Sequence, residues 1–201
     1  MLRTGLGAFM DTCLPRSPGH ELTRRVAYRS STAHRHVDCA PMINDDSARR
    51  ASFCVRPAVA GDEGALFDMI QELARFERLE ALVTGGAAAL REHLFGERPV
   101  AAALIAEAEQ APAGYALFFT TYSTFLTRPG VYLEDLFVRE SHRARGIGRA
   151  LLAEVRRVAE ARGAARLEWS VLDWNERAIQ FYRSFGAEVL PDWRVCRLRL
   201  G

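Results

Sequence analysis

Between residues 138 and 149 the chain reads Val138-Arg139-Glu140-Ser141-His142-Arg143-Ala144-Arg145-Gly146-Ile147-Gly148-Arg149. This run has the makings of an anion site. It follows an apolar stretch that reads as a strand and opens a stretch of helical period. A turn in that position aims unpaired backbone N–H groups outward, and the helix dipole adds positive character. Gly146 and Gly148 let a phosphate approach the backbone with no Cβ in the way, and Arg143, Arg145 and Arg149 can steer or neutralise it. A bare Gly-x-Gly is also how a strand turns tightly into a helix, so the anion site is the sharper of two readings. Other nucleotide motifs fit less well. A dinucleotide fingerprint would follow the first strand and carry a third glycine where Leu151 stands, and a P-loop would carry Gly-Lys-Ser/Thr.

Three further groups could do chemistry. Glu134-Asp135 lies in the strand that leads into the turn, Asn175 opens a late helix, and Phe181-Tyr182 lies near that helix's end. Each has a plainer reading: a solvated acid pair on a strand, a helix N-cap, which Asn makes well, and an aromatic pair in a core.

The elements that must position these groups alternate. Phe53 to Pro57 reads as a first strand. Leu66, Met69, Ile70, Leu73 and Phe76 recur at helical spacing between Asp62 and Arg78. Thr84 is the expected cap of a second helix, which runs through Leu90 and Phe95 and stops at Gly96 and Pro99. Strands are expected over 100–108 and 113–124, with a turn at Gln110-Ala111-Pro112. A second turn at Pro129-Gly130 leads to a strong strand over 131–138. A helix over 146–162 sets Ile147, Leu151, Val155, Val158 and Ala159 on one face and ends at Gly163. A strand over 166–172, a helix over 175–185, and strands over 187–190 and 194–200 complete an α/β order: a mixed sheet with helices on both faces.

Residues 1–51 differ. They hold Pro15, Pro18 and Pro41 among many Ser, Thr, Arg and His, with no helical or strand period. They read as a disordered arm, or as a start assigned too early with Met42 as the true one. The domain is expected at 52–201. Formal net charge is +2, and every basic residue is an arginine, scattered along the chain. That balance speaks against a nucleic-acid partner. With no signal-peptide pattern and no run of 18 apolar residues, neither secretion nor a membrane partner is expected, and the setting is cytoplasmic. Cys13, Cys39, Cys54 and Cys196 form no C-x-x-C pair and lack zinc spacing with His, so no metal is expected.

Arg143-x-x-Gly146-x-Gly148 after Leu136-Phe137-Val138 resembles the acetyl-CoA signature of the GNAT acetyltransferases. The resemblance spans nearly the whole ordered part. Val55-Arg56-Pro57-Ala58 is similar to the family's opening strand. Four further stretches are similar to the spermidine/spermine (diamine) N-acetyltransferase branch: Glu72 to Glu77, Phe95 to Pro99, Tyr132 to Val138, and Trp174-Asn175-Glu176 with Ile179, Phe181 and Tyr182. The full set in this order is more specific than the turn alone. It implies the GNAT (acyl-CoA N-acyltransferase) fold, with a mixed, mostly antiparallel sheet. It also implies an acyltransferase that uses acetyl-CoA as cosubstrate and acts as a homodimer on a diamine or polyamine-like acceptor.

The resemblance also assigns roles. Arg143, Arg145, Gly146, Ile147, Gly148 and Arg149 would hold the pyrophosphate. The backbone of Phe137, Val138 and Arg139 would pair with the pantetheine arm, and Asn175 would contact the cofactor. Tyr182 is the implied general acid for the departing thiolate. Glu134 is implied as the carboxylate that orients the amine and relays its proton through water, since a carboxylate near pKa 4.3 is a poor direct base for an ammonium near 10.4. Phe76, Glu77, Glu134 and Asp135 fall on the substrate side. The branch carries Tyr where Phe76 stands and an acid where Ser123 stands, and its spacing before Trp193 differs. Alternatives from other classes are a protein N-terminal or lysine acetyltransferase, a non-catalytic acyl-CoA-binding module, and an RNA binder.

Overall fold

The computed structural model describes residues 53–199; the expected N-terminal arm lies outside them. Five strands form one sheet in the order of the chain: β1 (Phe53–Pro57), β2 (Ala102–Ala108), β3 (Ala111–Ser123), β4 (Arg128–Val138) and β5 (Leu167–Glu168). The first three pairings are antiparallel. The last, β4 with β5, is parallel and holds for Val131 with Leu167 and Tyr132 with Glu168. The helices are α1 (Glu63–Glu77), α2 (Ala87–Phe95), α3 (Ile147–Ala161) and α4 (Glu176–Ser184).

Strand alternation splits the core in two. Ala103 and Ile105 of β2 join Tyr115 and Phe137 under Leu66 and Met69 of α1 and Leu94 of α2. Leu104 and Ala106 point the other way, with Phe118, Val131 and Leu133, onto Ile147, Leu151, Leu152, Val155 and Ala159 of α3. The helical period of α3 therefore gives the face the sequence predicted, and helices cover both sides of the sheet. Leu151 is fully buried at the centre of that contact. Leu151→Ala should cost about 2–5 kcal/mol of stability, seen as a lower urea midpoint with an unchanged m-value.

Four expectations are corrected. Thr84 does not cap α2: the helix starts at Ala87 with Gly86 at the N-cap. The β2–β3 turn sits one residue early, at Glu109-Gln110, both left-handed (φ 54° and 63°). That is a two-residue hairpin of the kind whose twist matches its strands. Pro129-Gly130 is not a turn; the chain reverses between Ser123 and Arg128, and Tyr122 pairs with Pro129 in the sheet. Pro129 is tolerated because its carbonyl faces away from β3, accepting from the Ala165 amide at 2.8 Å, so β3 does not need its missing N–H. Gly130 is required there, since a Cβ would lie 2.7 Å from the Thr121 hydroxyl. Finally, 187–199 forms no strand, and of the expected strand over 166–172 two residues pair. Trp193, Val195 and Leu198 are exposed.

Candidate active site

The β4–β5 ladder lasts two residues, after which β4 runs on to Val138 with an open edge. A cavity of about 1070 Å³ fills this opening. Its walls are the C-terminal end of α1, β4, the start of α3, residues 170–172 beyond β5, and α4. Every element that the chemistry-bearing residues occupy in sequence thus meets at one gap in the sheet.

At one end lies the strand-to-helix turn. Gly146 is the N-cap of α3 with φ 88°, and no side chain caps the helix. The first-turn amides of Ile147, Gly148 and Arg149 thus carry the positive end of a 15-residue helix with no side-chain acceptor among the described residues. A Cβ on Gly146 would meet nothing within 4 Å, while one on Gly148 would touch Val138 and Phe181 at 3.7 and 3.8 Å. The space before the helix start is open, and the wall beside it is close-packed. That arrangement suits a diphosphate held by backbone.

The arginines are deployed differently from the sequence expectation. Arg145 pairs with Glu109 at 2.8 Å. Arg149 lies 5.3 Å from the centre of the Phe185 ring. Arg143 donates from Nε to the Val138 carbonyl at 2.9 Å, and its guanidinium sits 5.1 Å from the Phe76 ring and 5.9 Å from Phe137. The Arg143 bond identifies the Val138 carbonyl as turned into the cleft. The Arg139 amide bonds Ala113 of β3, and its guanidinium is held by Glu72 and the Pro112 carbonyl. Arg139 therefore has its donors committed elsewhere. Val138 and Phe137 line the cavity; Arg139 and Arg145 lie outside its lining.

The other end of the cavity is acidic. The β3–β4 register pairs Leu117 with Asp135 and Phe118 with Leu133, so Glu134 is the extra residue of a β-bulge. A bulge re-aims side chains. Here it brings two successive acids, exposed Glu134 and half-buried Asp135, to the same cavity. Glu77 comes from the last turn of α1, which closes with Arg78 in the left-handed conformation. Phe76 beside it is partly exposed and packs against Trp174 at 6.0 Å, so it borders the cavity and stays out of the core. Burial raises the Glu77 carboxyl above its usual range. Burial, and then the neighbouring Glu134 and Glu77, lift Asp135 to about 6 against an opposing hydrogen bond from Tyr115.

Asn175 does cap α4, accepting the Ala178 amide at 3.2 Å, and it also lines the cavity. Tyr182, two turns on, is fixed by ring contacts with Trp169 (4.9 Å) and Phe181 (5.3 Å). Its phenol is pushed up to about 12, by burial first and then by the charges of Glu77 and Asp135. The aromatic-pair reading and the cavity-facing reading of Tyr182 both hold. Sequence reasoning missed Tyr115, Val195 and Arg197. Tyr115 reads as one more apolar strand residue, and the other two reach the cavity from a segment whose path no local pattern sets.

Residues 67–187 match the Acetyltransferase (GNAT) family. The chain belongs to this family. It is 38% identical over 150 residues to a thialysine N-epsilon-acetyltransferase of Sus scrofa, covering 71% of this chain and 88% of that one. It is 32% identical over 189 residues to an L-ornithine N5-acetyltransferase of Arabidopsis thaliana, covering 72% and 83%. A spermidine/spermine N(1)-acetyltransferase-like protein of Homo sapiens is 34% identical over 143 residues, 67% of this chain and 20% of that longer one. Among solved structures, an integron cassette protein from V. cholerae matches with TM-score 0.62 at 22% identity, over 73% of this chain and 92% of that one. A ribosomal-protein-alanine N-acetyltransferase from Brucella melitensis matches with TM-score 0.59 at 21% identity, over 74% and 99%. At such identities the structures establish the fold. The GNAT chain described here is an N-acetyltransferase, and the fold expected from its sequence is the one it has. Acetyl-CoA is the cosubstrate of the family, and the uncapped helix start and inward Val138 carbonyl fit it.

Proposed function

We propose that this acetyltransferase acts on a small primary amine that carries a second positive charge (a diamine, a polyamine-like molecule or a diamino acid) by direct attack in a ternary complex with acetyl-CoA. The observation that carries this reading is one cavity lined both by an uncapped helix start and by Glu77, Glu134, Asp135 and Tyr182, with Glu77 and Asp135 near enough to the phenol to act on its charge. The names of the thialysine, ornithine and spermidine/spermine relatives support it. A homodimer, through the resemblance to the diamine branch, and a cytoplasmic setting belong to the same reading. The modest net charge supports a small-molecule acceptor over nucleic acid.

Acetyl-CoA supplies an activated thioester whose C–S bond is exchanged for C–N. The chain's own work is to bind, orient and move protons. The amides of Ile147, Gly148 and Arg149 hold the diphosphate, with Gly146 giving room. Val138 offers its carbonyl to an amide of the pantetheine arm along the open edge of β4, as an added strand would take it; Arg143, which bonds that carbonyl here, releases it. An ammonium near pKa 10.4 costs about 4–5 kcal/mol to deprotonate at pH 7, at about 1.36 per unit. Acids that bind the cation and pass its proton outward are therefore needed, and exposed Glu134 meets water from the bulge. Tyr182 stays protonated at working pH and faces the departing thiolate. Against a thiol near 8.5, a phenol at about 12 is a reluctant donor. The charges that raise it, Glu77 and Asp135, are those a bound ammonium neutralises. Acceptor binding thus lowers the phenol toward its task.

The test is an acceptor screen with acetyl-CoA, following thiol release over diamines, thialysine, ornithine, polyamines, monoamines and peptides. Small dications should give the highest kcat/KM; turnover of peptides alone would replace this reading with protein acetylation. Glu77 is assigned the distal charge, so Glu77→Gln should raise KM for a diamine roughly tenfold and leave a monoamine within about twofold, as expected for loss of one charge-assisted contact.

A further inference from the structure

Behind the site, on the strand next to β4, Tyr115 is fully buried in the α1/α2 core against Phe137, at 6.1 Å between ring centres. Its hydroxyl emerges from that core at one point. It donates to Asp135 Oδ2 at 3.1 Å. The pairing of Tyr115 with Phe137 and of Leu117 with Asp135 makes this a diagonal cross-strand contact, within reach of an aromatic side chain. Asp135 lines the cavity, and among the described residues its Oδ1 has no hydrogen-bond donor.

We propose that Tyr115 is a positioning residue for acetyl transfer: its phenol pins the Asp135 carboxylate to the cavity floor, where Oδ1 binds the attacking ammonium and takes its proton. The inference rests on the amine-acetyltransferase reading above and goes beyond it by giving the first proton to Asp135 and the aim of that carboxylate to a core tyrosine. In the step, an N–H bond of the ammonium breaks, Oδ1 gains the proton as a carboxyl O–H, and the amine's lone pair is freed. The amine then forms the C–N bond as the thioester C–S bond breaks; the sulfur leaves with the bonding pair and takes the Tyr182 proton, and the second N–H proton, shed as the amide forms, returns to the Tyr182 phenolate through water.

The surroundings fit this division of labour. Burial and the charges of Asp135, Glu77 and Glu134 push the Tyr115 phenol well up, so it keeps its proton and acts as donor. Around Asp135 stand Glu77 from α1, Glu134 beside it in β4, Tyr115 from β3 and Tyr182 from α4, with His142 and Arg143 of the turn on the same cavity. Burial first, and then the charges of Glu134 and Glu77, raise Asp135, which makes it a better proton acceptor than an ordinary carboxylate. Glu134, exposed on the bulge, is set to carry the proton on to water.

Transfer needs Asp135 ionised, so kcat/KM should fall as pH drops through about 6 in the natural chain. Tyr115→Phe keeps the ring in the core and removes a hydrogen bond to the charged form. The acid limb should then move up by about one pH unit, with kcat/KM down roughly tenfold at about pH 5 and about twofold at pH 7. The experiment measures kcat/KM against pH for thialysine with acetyl-CoA in the natural chain, Tyr115→Phe and Asp135→Asn, together with a carboxyl-carbon NMR titration of Asp135 in the first two. Asp135→Asn should lose about a hundredfold or more in kcat/KM without a lower melting temperature, because it removes a charge the fold disfavours. An upward shift of both limb and titration in Tyr115→Phe supports the proposal. If the natural chain acetylates amines and Tyr115→Phe moves neither, the inference fails and the broader reading stands; if the natural chain acetylates no amine, both fall.

Discussion

Tyr182→Phe will lower kcat by about 10²–10⁴-fold, the range for loss of a positioned proton donor, and leave acetyl-CoA affinity within about threefold, as for a group used in the transition state alone. The ring is what the structure needs from this residue. It fills the contacts with Trp169 and Phe181, and phenylalanine keeps them. The hydroxyl is what the chemistry needs, because sulfur must leave with a proton or as an unassisted thiolate. Single-turnover kinetics with titration calorimetry for acetyl-CoA separates the two quantities. Equal losses in kcat and affinity would make Tyr182 a binding or folding residue and return it to the aromatic-pair reading. A basic limb in kcat that disappears in the variant would add the phenol's own signature. In the empty site the phenol is pushed up to about 12, and the bound ammonium should bring the limb lower.

The parts of this molecule that the sequence made legible are those in which local pattern and tertiary need agree. The face of α3 could be read because a helix against a sheet must repeat its apolar residues, and Ile147, Leu151, Val155 and Ala159 do so. Asn175 could be read because a cap acts on the next turn of its own helix. The glycine turn could be read because left-handed backbone at a helix start leaves few choices. What could not be read depends on partners distant in sequence. The bulge that presents Glu134 and Asp135 together is a mismatch between β3 and β4, visible in neither strand alone. Tyr115 looks like core, and it is core; its role arises where the hydroxyl ends. The alternation around Val195 and Leu198 announces a strand, yet a strand requires a neighbour, and β5 offers two paired residues. Similarly, Pro129-Gly130 has the composition of a turn and the position of a strand, because each residue answers a need across the sheet.

Gly146→Val is the second change with a large expected effect, and its reason differs in kind. Nothing would collide with the new Cβ. The cost is backbone: φ at this position is 88°, a region that costs an L-residue about 1–2 kcal/mol and suits a β-branched one least. To relieve it, the chain must retract the turn, and with it the amides of Ile147, Gly148 and Arg149 that no side chain caps. The arginines offer little substitute, since Arg145 is paired to Glu109 and Arg149 lies on Phe185. Coenzyme A affinity should therefore fall by about tenfold to a hundredfold, each tenfold being about 1.4 kcal/mol, with a smaller change in melting temperature because α3 remains anchored through Leu151, Leu152 and Val155. Gly148→Ala is the control for crowding without strain: its Cβ would make ordinary contacts with Val138 and Phe181 at 3.7 and 3.8 Å, so the fold should accept it. Titration calorimetry with coenzyme A on the two variants and the natural chain decides the matter. If Gly146→Val binds as tightly as the natural chain, the diphosphate is held elsewhere and the helix start is only a turn.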